Sequence, residues 1–123
     1  MAIKNSSAGV VIVDLHPEPD TGTELATVAS LVRLRGNRDV VIDFSRVDIV
    51  TSASLSKLLE LRKLLSNRGR KLVLFGLAPE TRNIFKQAVL EMVFEFADDK
   101  SAALAAIRGT KRPKPKVRTP VST

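Results

Sequence analysis

The chain has no cysteine, tyrosine or tryptophan, a single histidine, and six glycines that stand apart from one another. Without cysteine there are no disulfides, thiolate metal sites or cysteine nucleophiles, and the expected compartment is the reducing cytoplasm. The scattered glycines form neither G-x-G-x-x-G nor G-x-x-x-x-G-K, so no phosphate-cradling loop of a known kind is present and no cofactor is expected. A serine-histidine-acid triad would have to use His16, but no G-x-S-x-G elbow supports it. We read His16, just before Pro17-Glu18-Pro19, as a surface loop residue and expect no enzyme activity. Asp14, Asp43 and Asp48 end or follow apolar runs. Strand-end aspartates usually cap turns, so no metal site is expected. No stretch approaches the roughly 20 uninterrupted apolar residues of a membrane span. The apolar run near the N terminus stops at Asp14, so neither a signal peptide nor an anchor is expected.

What is there suits one compact domain: 123 residues, 44% of them hydrophobic. The formal net charge of +7 is concentrated at one end. Residues 108–123 contain Arg108, Lys111, Arg112, Lys114, Lys116 and Arg118 with no acid, whereas residues 1–107 carry 14 basic and 13 acidic side chains. With three prolines and little to bury, 108–123 reads as a disordered basic tail after a domain at 1–107. Such a tail is solubilising and suited to peripheral electrostatic contact with acidic surfaces. It lacks the aromatic platform of a single-strand binder, so no specific nucleic-acid partner is expected.

Strand and helix signals alternate along the domain. Ala8–Leu15 is a β-branched run ending in the turn-rich segment from His16 to Gly22. Thr21 or Thr23 then caps a helix with Glu24 in its first turn and Leu25, Val28, Ala29 and Val32 on one face. Asp39–Phe44 is a second strand of the kind buried on both faces. The hydroxyl cluster at 51–54 opens a helix that stops near Gly69, and Lys71–Leu77 is a third strand. Pro79 starts a further helix carrying Ile84, Phe85 and Ala88, Met92–Ala97 is a short strand, and an acid-capped alanine-rich helix closes the domain. The expected fold is α/β: a mostly parallel or mixed sheet of four to five strands with about four helices. Strand order is not legible, but in such sheets functional groups collect in the loops after the strands, and one of these contains residues 48–54.

That loop reads Asp48-Ile49-Val50-Thr51-Ser52-Ala53-Ser54-Leu55. One hydroxyl serves as an N-cap, worth about 1 kcal/mol, and leaves the others unexplained. Hydroxyls at a positive helix end also suit presentation to a kinase, where a phosphate changes the local charge by about −2. Behind them, Leu55, Leu58, Leu59, Leu61 and Leu65 cover an arc wider than the roughly 100° stripe a core-facing helix needs. Either neighbouring elements bury that arc or part of it meets a partner.

Over residues 8–107 the order of these elements is similar to that of STAS domains, the fold of the bacterial anti-sigma factor antagonists. The shared pattern is a strand ending in an aspartate, a D-S-S-G-L turn opening a helix, a strand, a proline, and a helix with a phenylalanine. The resemblance implies a cytoplasmic protein-binding regulator whose partner is an anti-sigma factor or serine-kinase-like protein. In that family the second serine of the turn is phosphorylated. On this chain Thr51 stands at the aspartate, Ser52 at the first serine, Ala53 at the phosphorylated serine, Ser54 at the glycine and Leu55 at the leucine. The resemblance therefore implies a docking surface of Thr51, Ser52, Ala53, Ser54, Leu55 and Leu58, with phosphate control lost at 53. Three consequences stay open: phosphorylation moved to Ser52, Ser54 or Thr51; an antagonist that always binds; or a module of another assembly, such as a stressosome-like complex or the STAS subunit of a lipid or anion transport system.

Overall fold

The computed structural model describes residues 2–5, 9–34 and 38–109. Among the described residues five strands, β1 (Ala2–Asn5), β2 (Val10–Asp14), β3 (Asp39–Asp43), β4 (Leu72–Phe75) and β5 (Glu95–Ala97), form one sheet in sequential order. Four helices, α1 (Thr21–Leu34), α2 (Ser52–Asn67), α3 (Pro79–Gln87) and α4 (Lys100–Gly109), complete it. β2 to β5 are parallel, with Val11 opposite Val40 and Ile42 opposite Leu74. β1 pairs antiparallel with β2, Ile3 facing Val13. This edge strand has no counterpart in the sequence reading, because four residues with only Ala2 and Ile3 apolar carry little β signal.

The sheet order decides where the helices go. A sheet that grows in one direction, with every crossover of the same hand, puts all its crossover helices on the same face. α1, α2 and α3 accordingly bury Val11, Val13, Leu15, Val40, Ile42, Phe44, Leu72 and Leu74 on one side. The alternate residues Val10, Val41, Val73 and Phe75 point to the other side, where Ala103 and Ile107 of α4 cover them. Period-two alternation with both faces covered explains why the strands read as unbroken apolar runs.

Four of the five phenylalanines gather at one end of the larger core. Phe85, fully buried on α3, meets Phe44, Phe94 and Phe96 edge-on at centroid distances of 6.2, 5.6 and 5.5 Å. This arrangement adds about 0.5–1.5 kcal/mol per pair beyond area burial and fixes α3 against the sheet. Arg82 stacks over the Phe96 ring at 4.0 Å.

Three expectations are adjusted. Thr21 and Thr23 lie inside α1 rather than capping it, and the Thr21 hydroxyl donates to the His16 carbonyl at 2.8 Å. Only Glu95–Ala97 of the Met92–Ala97 segment is strand; Met92 lies in a turn, almost fully exposed. The last helix runs to Gly109, two residues past the expected end of the domain, and the tail from 110 onward lies outside the described residues.

Candidate functional site

The loop between β3 and α2 is tied down before the helix begins. Phe44, Val47 and Val50 turn inward, while Ser45, Arg46, Asp48 and Ile49 are exposed. Asp43 caps the first turn of this loop, its Oδ1 accepting from the Ser45 amide at 2.8 Å and from the Ser45 hydroxyl. A Cβ on Gly76, which sits at φ +77°, would meet both side chains, so the next loop passes close only because that residue is glycine. Thr81, fully buried in the first turn of α3, donates towards the carbonyls of Val47 at 3.0 Å and Asp48 at 2.9 Å. Asp43 is thus a turn cap, and Asp48 is fastened through its backbone carbonyl. Asp14 faces Arg46 at 3.7 Å, and the described residues contain no group of three or more His, Asp or Glu suited to a metal.

Held in this way, Thr51 is the N-cap of α2, extended at φ −77° and ψ 163°, and its hydroxyl accepts from the Ser54 amide at 3.1 Å. A residue distant in sequence completes the cap. Glu18, in the loop after β2, places Oε2 3.0 Å from the Thr51 amide and 2.7 Å from the Ser54 hydroxyl, accepting from both. The negative carboxylate lies at the positive end of the helix, where such charges are stabilising. The loop bearing Glu18 is itself fastened. The His16 amide donates to Glu24 Oε1 at 2.9 Å, and His16 Nδ1 lies 2.8 Å from Glu24 Oε2. Burial pushes the Glu24 carboxyl up, but the bonds from the His16 amide and ring outweigh it and hold the group below its ordinary value. His16 is therefore half-buried and structural rather than a free surface side chain.

The residues singled out from the sequence separate into two groups. Thr51, Ser52 and Ala53 are exposed, with Ser56 and Lys57 beside them. Ser54 is 2% exposed, with its hydroxyl committed to Glu18, so it is not an accessible kinase target as the protein stands. Leu58 is fully buried with Leu61 and Leu65, and Leu55 and Leu59 are partly buried against the same core. The wide leucine arc is thus filled by α1 and the sheet, and Leu58 cannot touch a partner. Ser54 also explains Gly22: a Cβ there would lie 3.2 Å from the Ser54 hydroxyl, so the small residue lets the two helix starts approach.

Between those helix starts runs an open groove of about 410 Å³, with Gly22, Thr23, Ala26, Ala53 and Lys57 on its walls and Glu18 at its end. Sequence reasoning missed Glu18, Ile49 and Lys57. Ile49, two residues before the cap, is 66% exposed. For Glu18 the available signal was an acidic residue between two prolines, which does not say that it reaches a helix more than thirty residues later. Chemically, the arrangement is an exposed hydroxyl and methyl surface with one amine and one fixed carboxylate.

The five-stranded sheet of this order, with this loop at the start of the second helix, defines a STAS domain. The STAS domain family pattern matches residues 2–103, and the chain belongs to that family. It is 35% identical over 74 residues to the Bordetella bronchiseptica protein BtrV, which carries the name of an anti-sigma factor antagonist. That match spans 60% of this chain and 64% of BtrV. Two solved structures share the fold. An anti-sigma factor antagonist-like protein of Thermotoga maritima superposes with a TM-score of 0.76 at 18% identity, covering 87% of this chain and 93% of its own. The anti-sigma factor antagonist SpoIIAA in its unphosphorylated form gives 0.71 at 15% identity, covering 88% and 96%. No helix among the described residues is long and apolar enough to cross a membrane.

Proposed function

We propose that this chain is a non-catalytic, cytoplasmic regulator of the anti-sigma factor antagonist type. It docks an anti-sigma factor or serine-kinase-like protein through the exposed start of α2. The observation that supports this is the surface formed by Thr51, Ser52, Ala53 and Lys57, fastened on one side by the Glu18–Ser54 bond and, through the loop before it, by the bonds of Thr81 to the Val47 and Asp48 carbonyls. A pre-organised surface does not have to order itself when it binds, which favours affinity. The similarity to BtrV makes the antagonist reading preferable to a transport subunit.

Ala53 carries no hydroxyl at the position where the family is phosphorylated. Of the neighbouring hydroxyls, Ser54 is buried and Thr51 is engaged as the cap, whereas Ser52 is exposed and makes no hydrogen bond among the described residues. The module is therefore competent to bind without dephosphorylation at 53, and of Thr51, Ser52 and Ser54 it is Ser52 whose hydroxyl is open to a kinase.

The test is affinity capture with wild type beside Ala53→Arg and Ser52→Glu, followed by titration of the captured kinase-like protein. Ala53→Arg should abolish the interaction and Ser52→Glu should weaken it at least tenfold. Capture of the same protein at unchanged affinity by both folded variants would place the interface elsewhere.

A further inference from the structure

The end of α2 opposite the proposed docking surface closes a second recess, of about 150 Å³, beside the first residues of β4 and β5. Three cationic side chains line it, Arg62, Arg70 and Lys71, together with Ser66 and one carboxylate, Glu95. Arg62 is locked in place: its Nε donates to the Val93 carbonyl at 2.7 Å, and its two terminal nitrogens have no partner among the described residues. Arg70 has only a long ion pair, Nη1 lying 3.9 Å from Asp39 Oδ2. Asp39 is engaged elsewhere, its Oδ1 accepting from the Lys71 amide at 2.8 Å. Lys71 pairs with Glu95 at 2.6 Å and so neutralises the one carboxylate on the wall. The helix end does not supply the missing negative charge either. The Leu65 and Ser66 carbonyls accept from the amides of Arg68, Gly69 and Arg70.

Two guanidinium groups thus share a small recess in which the nearby carboxylates, Asp39 at 3.9 Å from Arg70 and Glu95 paired with Lys71, leave the Arg62 charge unmatched. Gathering like charges this way costs free energy unless an anion joins them. Guanidinium forks suit tetrahedral oxyanions, which accept several charge-assisted bonds at once. A recess of this size holds one such group and does not enclose a nucleotide. We infer that the recess binds a small oxyanion of the phosphate type, as inorganic phosphate or as the phosphoryl group of a small phosphomonoester.

The experiment is an amide-resolved NMR titration of the full chain with sodium phosphate, compared with sodium chloride at matched ionic strength. A second arm uses glycerol 3-phosphate. Saturable shifts confined to residues 62–72 and 93–95 are expected with phosphate and not with chloride. Arg62→Gln and Arg70→Gln should each weaken binding about tenfold, the equivalent of one lost charge-assisted bond. Lys86→Gln, on α3, should leave it unchanged. Equal or tighter binding of glycerol 3-phosphate identifies a phosphomonoester ligand, and saturation by inorganic phosphate alone identifies the free ion. Three results overturn the inference: shifts that grow linearly or match those of chloride, shifts confined to the basic residues after 107, or unchanged affinity in folded Arg62→Gln and Arg70→Gln proteins.

Discussion

Replacing Glu18 with alanine should destabilise the domain well beyond what one surface substitution usually does. Its carboxylate is the acceptor for the hydroxyl of Ser54, a residue only 2% exposed, and for the Thr51 amide at the start of α2. Without it, Thr51 is exposed enough for water to take over its amide. The Ser54 hydroxyl is not, and its remaining neighbour, the Thr51 hydroxyl at 3.2 Å, is already accepting from the Ser54 amide, so a poorly satisfied buried donor costs about 1–3 kcal/mol. Loss of a negative charge at the helix start adds about 0.3–1 kcal/mol. The expected loss is about 1–4 kcal/mol, and for a domain of this size each kcal/mol lowers Tm by roughly 4–8 °C. The assay is urea unfolding followed by circular dichroism, run as a double-mutant cycle with Ser54→Ala. Since Ser54→Ala removes the group that Glu18 satisfies, the double variant should be more stable than the sum of the single effects by about 1 kcal/mol or more. A Glu18→Ala protein within 0.5 kcal/mol of wild type, or strict additivity, would show that the carboxylate does not hold this helix start.

Two further substitutions test other parts of the structure. Val89, at the end of α3, adopts φ +59° with its side chain 81% exposed, a conformation that costs a β-branched residue and brings no burial in return. Val89→Gly should raise the unfolding free energy by about 0.5–1 kcal/mol, and a decrease in the urea midpoint would contradict this account. Glu24 is held below its ordinary value of 4.5, so its ionised form stabilises the fold at neutral pH. That contribution is fully present above the unfolded value and disappears as pH falls through the folded one. Glu24→Gln should therefore lower stability at pH 7 and converge on wild type in strongly acidic solution. An equal loss at both pH values would mean that the charge is irrelevant.

Much of the fold was legible because it depends on local patterns. The mainly apolar stretches at 8–15, 39–44 and 71–77 contain the three central strands. The Thr51 cap, Gly69 with φ +69° and Pro79 at the first turn of α3 mark helix ends by local backbone chemistry. β1 was not legible, since a short edge strand is defined by its pairing partner rather than by its own residues. The leucine arc of α2 was visible, but its meaning was not. Periodicity counts apolar positions and does not reveal that α1 and the sheet together cover them.

The candidate site divides along the same line. By itself the sequence determined that a hydroxyl-rich helix start follows a buried strand, and that alanine occupies position 53. Both are properties of neighbouring residues. Only the tertiary structure decided which of those residues a partner or a kinase could reach. Packing α1 against α2 puts Leu58 in the core, and the loop after β2 brings the Glu18 carboxylate onto Ser54 across 36 positions. Burial and long-range hydrogen bonds depend on how crossovers stack helices on the sheet, and that arrangement is not written in any local stretch of the chain.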